Sequence, residues 1–210
     1  MMMKRRFALV FVFSFYSLLS MVGCSHIPVS QVPRDNVTVA SVQGQMYLGT
    51  PQTNKTAFLT LSRYFVTQQN LAYCGVASSV MVLNALVSKP EQRPVEKSHK
   101  PYRYFTQDNI FTFAQDKLRE NKVSQDRVLH HGMTLGTLVK ILRAYDLHVR
   151  SDYASDSSVD KFRNTLKEVF LSSPAPHQYV LVNYGRKKLD QKGGGHISPL
   201  GAYDPIHDSV

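Results

Sequence analysis

The chain has 210 residues, 43% of them hydrophobic, which is enough for one domain with a real core. The formal net charge is +10, but the basic residues are scattered and lack the clustered Arg, Lys and aromatic pattern of a nucleic-acid module. We therefore predict no nucleic-acid binding, and we attribute the charge to an anionic small substrate or an anionic membrane surface.

Residues 1–23 have the pattern of a secretory signal. Lys4-Arg5-Arg6 precedes an apolar run, Phe7 to Val22, that is short for a bilayer crossing and is followed by Gly23-Cys24. Met21-Val22-Gly23-Cys24 resembles the bacterial lipoprotein box, with Met21 in place of the usual leucine. We predict a lipoprotein-type signal peptide over 1–23 and lipidation at Cys24, which would anchor an exported protein to a bacterial membrane facing the periplasm or exterior. An ordinary signal peptide cleaved nearby is the alternative.

Residues 24–58 are mostly polar and show no helical period, so we predict a tether there and a folded domain over 59–210. A polar stretch rich in Lys and Pro, 89–103, predicts a solvated loop. The remaining patterns predict helices that begin near Val76, Thr106, Thr134 and Asp156 or Ser157, and strands at 147–149, at 178–184 and from His196.

Cys74 is the candidate nucleophile. It opens a helix on which Val76, Val80, Leu83 and Val87 recur at the period of one buried face. The unpaired N–H groups and positive dipole of that first turn favour the thiolate form of a cysteine. With Cys24 acylated, Cys74 would be the only free thiol of a chain with two cysteines. The alternative is a small apolar helix residue.

Two more residues complete a candidate catalytic group. Six positions before Cys74, Gln68 offers an amide donor for an oxyanion formed under attack by the sulfur. His196 follows three glycines at the start of a predicted strand and is the candidate base. The chain has eight histidines, most of which we expect to be surface or capping residues. No pair of them has the spacing of a zinc motif, so we predict no metal ligands.

These residues carry a family resemblance. The stretch from Gln68 to Ser79 and the stretch from Gly194 to Tyr203 look like phytochelatin synthase, in particular its short bacterial members. Three further motifs occur in the same order between and beside them: 101–109, 132–135 and 179–186. The resemblance implies an α+β, papain-like cysteine protease fold, with the nucleophile helix in an N-terminal helical part that packs on a C-terminal antiparallel sheet.

The resemblance also implies an activity. Members attack the Cys–Gly amide of glutathione, release glycine and hold γ-glutamylcysteine as a thioester, which implies Cys74 as nucleophile, Gln68 as oxyanion donor and His196 as base. Arg186 matches a family arginine that handles substrate, and its guanidinium would bind a glutathione carboxylate. The acyl group passes to water or to a second glutathione, giving phytochelatin. No tightly bound cofactor is implied; Cd or Zn would enter as the glutathione thiolate complex or as an activator.

One feature departs from the family. The family's triad aspartate lies farther beyond the histidine than the fourteen residues that follow His196 here. We expect Asp204 and Asp208 to lie in a hairpin turn and to point away from His196. The chain as written is therefore expected to have an incomplete sheet and little activity.

Three functions stay open on the sequence. The first is a glutathione acyltransferase or amidase linked to heavy-metal detoxification or glutathione turnover. The second is a papain-like leader peptidase, and the third is a lipid-anchored, non-catalytic remnant that binds thiol peptides. Oligomeric state is not encoded in any pattern of the sequence.

Overall fold

The computed structural model describes residues 9–14, 37–97, 99–171 and 178–210. In chain order these residues form β1 Leu9–Ser14, α1 Val42–Gly49, α2 Thr56–Leu61, α3 Cys74–Leu86, α4 Ile110–Phe113, α5 Gln115–Glu120, α6 Gln125–His131, α7 Leu135–Ala144, β2 His148–Tyr153, α8 Val159–Leu171, β3 Gln178–Gly185 and β4 Gly195–Pro199. No helix in these ranges is both long enough and apolar enough to cross a bilayer.

The strands form one sheet in the order β2-β1-β3-β4. The predicted antiparallel pairing is confirmed for β3 and β4, which place Tyr184 opposite His196. β1 pairs in parallel with both β2 and β3, so the sheet as a whole is mixed. Helices and sheet together agree with the predicted α+β class.

β1 comes from the segment predicted to be an export signal. It lies between β2 and β3, and its backbone pairs along both. The predicted cleavage and lipidation site at Gly23 and Cys24 lies outside the described residues. A chain cleaved after Gly23 would lack β1, so β1 belongs to the uncleaved chain and the signal peptide stays a prediction.

Within the expected tether over 24–58, the described residues 37–58 are folded. The ring of Tyr47 in α1 stacks on His207 with centroids 4.2 Å apart, and Asn54 pairs with Tyr203 as an antiparallel bridge. Folded structure therefore begins before residue 59. The pattern was missed because α1 buries a single glycine and so shows no apolar period.

α3 is the centre of the core. Every residue from Gly75 to Asn84 is buried, whereas the sequence predicted one buried face. One side of the helix packs with the sheet, α7 and α8, and the other side packs with the α4–α6 region. A helix covered on both sides carries apolar or small residues all around.

Other predicted elements are confirmed with shifted ends. Thr134 caps α7 by accepting a hydrogen bond from the backbone N–H of Thr137. Ser158 Oγ accepts a hydrogen bond from the Lys161 N–H in the first turn of α8, a position slightly later than predicted. The helix predicted from Thr106 is divided into α4 and α5, and α6 was not predicted.

A buried asparagine ties α3 to the loop that follows it. The Asn84 side chain donates to the carbonyl of Phe105 and accepts from its N–H, both at 2.9 Å. Arg93 donates to the carbonyls of Asn84 and Val87 at the end of α3. Together these contacts fix the start of the segment 105–109, which reaches the candidate site.

We expect Asn84→Leu to lower the free energy of unfolding by about 2–4 kcal/mol, because both backbone groups of Phe105 lose their partner in a buried setting. Urea denaturation followed by circular dichroism measures this loss. Asn164→Leu, at an exposed position of α8, is the matched control and should change stability little. Equal losses in the two variants would contradict the role assigned to Asn84.

Candidate active site

Cys74 begins α3, at the end of the helix that faces β4. A Cβ added at Gly75 would lie 2.4 Å from Met133 Sδ and 3.0 Å from Ile197 Cδ1. Glycine therefore allows the first turn of α3 to approach Met133 and β4 closely. Ser78 Oγ donates to the Ile197 carbonyl at 3.1 Å and joins the same helix and strand through a buried contact. Cys74 and His196 each adjoin a residue of this junction.

The three predicted catalytic residues line one cavity of about 590 Å³. Cys74 is a free cysteine and is half-buried, as are Gln68 and His196. The rest of the wall is largely apolar and includes Phe58, Leu61, Phe65, Met81 and Ile197. The structure thus brings together three residues that are 6 and 122 positions apart along the chain.

His196 has a cationic partner. Arg186 Nη2 lies 2.8 Å from His196 Nδ1, and since a guanidinium only donates, Nδ1 accepts. Burial lowers the pKa of His196 below its ordinary value, and the positive charge of Arg186 lowers it further. The ring is therefore neutral at pH 7, with its single hydrogen on Nε2.

Tyr184 is a further neighbour that the sequence did not single out. Its ring meets the His196 ring edge to face, with centroids 5.7 Å apart. Burial raises the pKa of the Tyr184 hydroxyl above its ordinary value, an effect opposed by Arg186 and increased by Cys74. Tyr184 therefore stays protonated and neutral beside the histidine.

The glycine-rich connection holds Arg186 in position. Gly193 has a φ of 113°, and a Cβ there would lie 3.1 Å from Arg186 Nη1 and 3.2 Å from its Cδ. The backbone N–H of Arg186 donates to the Gly194 carbonyl at 3.0 Å. Among the residues that the structure describes, no carboxylate forms an ion pair with Arg186. Its guanidinium therefore faces the histidine with its charge uncompensated.

Gln68 is held by a second glutamine. Gln107 is 2% exposed; its Oε1 accepts from the Gln69 N–H at 3.0 Å and its Nε2 donates to the Thr67 carbonyl at 2.8 Å. The side chain therefore clamps the residues on either side of Gln68. Gln68 itself uses one amide hydrogen on the Asn70 carbonyl at 2.6 Å, which leaves its second N–H to donate.

The two aspartates after His196 have other partners. Asp204 is 2% exposed and accepts from His207 Nδ1 at 2.5 Å and from the N–H groups of Ile206 and His207. Burial alone would raise the pKa of Asp204, but these hydrogen bonds outweigh it and hold the pKa below its ordinary value. Asp208 pairs with Arg163. Both aspartates therefore bind groups other than His196. This agrees with the prediction that they lie in a turn.

Within the described ranges, no group of three or more His, Cys, Asp and Glu side chains could hold a metal ion.

Sequence reasoning missed the supporting residues Gln107, Gly75 and Ser78. Gln107 lies in the motif 101–109, but its two partners, Gln69 and Thr67, are about 40 positions earlier in the chain. Gly75 lies in the motif from Gln68 to Ser79, but nothing in the sequence indicates that Met133 and Ile197 approach it. Ser78 has no local signal, because its acceptor lies in β4.

A family model described as phytochelatin synthase matches residues 28–210. The chain is 36% identical over 169 residues to glutathione gamma-glutamylcysteinyltransferase 1 of Lotus japonicus, covering 80% of this chain and 30% of that protein. It is 30% identical over 151 residues to glutathione gamma-glutamylcysteinyltransferase 2 of Arabidopsis thaliana (72% and 30%). It is 27% identical over 153 residues to the Schizosaccharomyces pombe protein of that name (73% and 33%). The matched region thus spans about a third of the length of these relatives.

We expect Gln107→Leu to release the loop around Gln68. The Gln69 N–H and the Thr67 carbonyl lose their partner, which should cost about 1–3 kcal/mol of stability and speed amide exchange at Gln69. Hydrogen exchange measured by mass spectrometry on a peptide covering 62–73 tests this. Gln115→Leu, an exposed glutamine in α5, is the control, and unchanged exchange in Gln107→Leu would refute the clamp.

Proposed function

Because the chain belongs to the phytochelatin synthase family, we propose that it is a glutathione γ-glutamylcysteinyltransferase with Cys74 as its nucleophile. The observation that carries this proposal is the shared cavity lined by Gln68, Cys74 and His196. The arrangement combines a thiol at a helix start, an imidazole on a facing strand and an amide donor, the parts that acyl transfer by a cysteine requires.

We propose the following chemistry. His196 takes the proton of Cys74, and the sulfur attacks the carbonyl carbon of the Cys–Gly amide. The Gln68 amide and the Cys74 N–H stabilise the oxyanion, a contribution worth on the order of 10²–10³ in rate for one such donor. The C–N bond then breaks, His196 returns the proton to the leaving amine, and glycine departs from a γ-glutamylcysteinyl thioester on Cys74.

The thioester then passes its acyl group to water, giving γ-glutamylcysteine, or to the amine of a second glutathione, giving phytochelatin. His196 serves as base toward the incoming nucleophile, and the Cys74 thiol is regenerated. In this proposal Cd or Zn takes part as the thiolate complex of glutathione or as an activator, and no cofactor stays bound.

Size and charge support a small anionic substrate. The cavity of about 590 Å³ lies within the range of about 300–1,000 Å³ that is typical of small-molecule sites. Arg186 begins a basic segment that continues with Lys187 and Lys188, and neither lysine forms an ion pair with any described residue. Such a segment attracts the carboxylates of glutathione.

The arrangement of elements supports a papain-like fold. The nucleophile starts a buried helix, α3, and the base lies on β4 of the sheet that packs against that helix. The short bacterial type is proposed from the motifs alone.

A second candidate function is binding of thiol peptides without turnover. The contact that favours it is the one between Arg186 and His196, because a guanidinium stands where a triad uses an orienting carboxylate. A leader peptidase is less well supported, since the cavity is of small-molecule size. Glycine release from glutathione separates the first function from both alternatives.

We expect Cys74→Ser to abolish glycine release, because a hydroxyl is a far weaker nucleophile than a thiolate here. Mass spectrometry of the unmodified chain with glutathione should trap a γ-glutamylcysteinyl adduct on Cys74. Ser155→Ala, at an exposed position, is the control and should keep full turnover. Undiminished glycine release in Cys74→Ser would rule out the enzymatic proposal.

We also propose that the protein is exported and anchored by lipid at Cys24. The motif Met21-Val22-Gly23-Cys24 and the basic and apolar segments before it support this proposal.

We expect cells given an alkyne fatty acid to label the protein, and Cys24→Ala to lose the label and leave the membrane fraction. A single acyl chain gives only marginal membrane binding, so stable retention requires the diacyl form. Cys74→Ala should keep the label as the matched control. Label that persists in Cys24→Ala would contradict the assignment.

A further inference from the structure

We propose that Arg186 holds His196 in a resting state that cannot deprotonate Cys74, and that a substrate carboxylate releases the histidine by binding the guanidinium instead. The inference rests on the proposed function for the identity of the substrate. It goes beyond that function by making Arg186 a positioning residue for the base as well as a substrate contact.

The resting state follows from the hydrogen-bond chemistry of the pair. Arg186 Nη2 can only donate, so His196 Nδ1 must present a lone pair. A neutral imidazole has one hydrogen, which is then on Nε2. Nε2 is then the only ring nitrogen left to act on a thiol in the cavity. Because Nε2 already carries a hydrogen, it cannot accept another.

A doubly protonated His196 is also disfavoured while Arg186 stays in place. It would set an N–H of the ring against an N–H of the guanidinium, two donors 2.8 Å apart. Burial and the Arg186 charge both lower the pKa of His196, so the cation is penalised twice. Of the other titratable groups among the described residues, Tyr184 meets the ring edge to face and has a neutral hydroxyl, and Cys74 lines the same cavity as His196.

A carboxylate reverses each of these effects. A guanidinium binds a carboxylate through two parallel N–H···O bonds, which are stronger than one bond to a ring nitrogen. No described carboxylate already binds Arg186. Gly193 leaves room for its side chain, and the Gly194 carbonyl accepts a hydrogen bond from its backbone N–H. Substrate binding would therefore free Nδ1 and offset the positive charge. Nδ1 would then take up a proton from solvent while Nε2 releases its own to solvent, and the bare Nε2 would accept the proton of Cys74.

If Arg186 binds the substrate carboxylate and thereby releases His196, substrate anchoring and activation of the base both depend on Arg186. A substrate without the carboxylate would lower the turnover number more than the apparent affinity, because His196 would stay bound to Arg186. The free enzyme, with its base neutral and blocked, would keep Cys74 from reacting with other electrophiles. Binding energy from a remote group would in this way be used at the reacting atoms.

The test is NMR of ¹⁵N-labelled histidine in the Cys74→Ser chain, which should bind glutathione without cleaving it. Without ligand, His196 should be the Nε2–H tautomer with a pKa below about 6.5. Saturating glutathione should raise that pKa to or above its ordinary value, and glutathione amidated at glycine identifies whether that carboxylate is responsible. Adding Arg186→Gln should raise the pKa without ligand and remove the response.

Lys188→Gln is the matched control, because it removes a neighbouring charge and leaves the contact with His196 intact. An Nδ1–H tautomer in the free chain, or an unchanged His196 in Arg186→Gln, overturns the inference whatever the activity. Glutathione that is bound but leaves the His196 pKa unchanged also overturns it. Failure of the unmodified chain to release glycine, with the expected tautomer present, instead rejects the proposed function. If Arg186→Gln does not fold, Arg186→Lys replaces it. Lysine keeps the positive charge but lacks the paired N–H donors of the guanidinium.

Discussion

The close packing of the first turn of α3 against β4 is the constraint on which the cavity depends. Gly75 has no side chain, so Met133 and Ile197 fill the space where a Cβ would lie. Ser78 adds a buried hydrogen bond to the same strand. Because Cys74 and His196 are each next to a residue of this contact, any shift between helix and strand would separate the thiol from the imidazole. The geometry of the site is therefore a property of core packing rather than of a loop.

Buried amides extend this rigidity to the loop that carries Gln68. Asn84 fixes Phe105 beneath α3. Gln107 lies two residues after Phe105 and holds the backbone on both sides of Gln68. Each amide pairs with one backbone donor and one backbone acceptor, which satisfies polar groups that would be costly to bury alone. The loop that carries Gln68 thus inherits its position from the helix that carries Cys74.

The charges around His196 differ from those around the aspartates that follow it. Burial and the contact of Arg186 with Nδ1 together keep the His196 ring neutral, whereas Asp204 is buried against His207 in the turn of the last hairpin. Asp204 accepts hydrogen bonds within that turn, and its partner His207 stacks on Tyr47 of α1. His196 is accordingly in contact with a cation that would also suit an anionic ligand.

The sequence by itself determined those features that depend on neighbours along the chain. The apolar period after Cys74 indicated α3, the β-branched run from Tyr179 indicated β3, and Thr134 indicated the start of α7, because periodicity and capping are local. Helix α1 has no such local signal, because it buries only a glycine. Only the tertiary structure decided that α3 is covered on both sides, that Gln107 clamps the Gln68 loop and that Arg186 contacts His196. These contacts join segments that are distant in sequence or cross a glycine-rich turn, so they depend on how the elements pack and not on any local pattern.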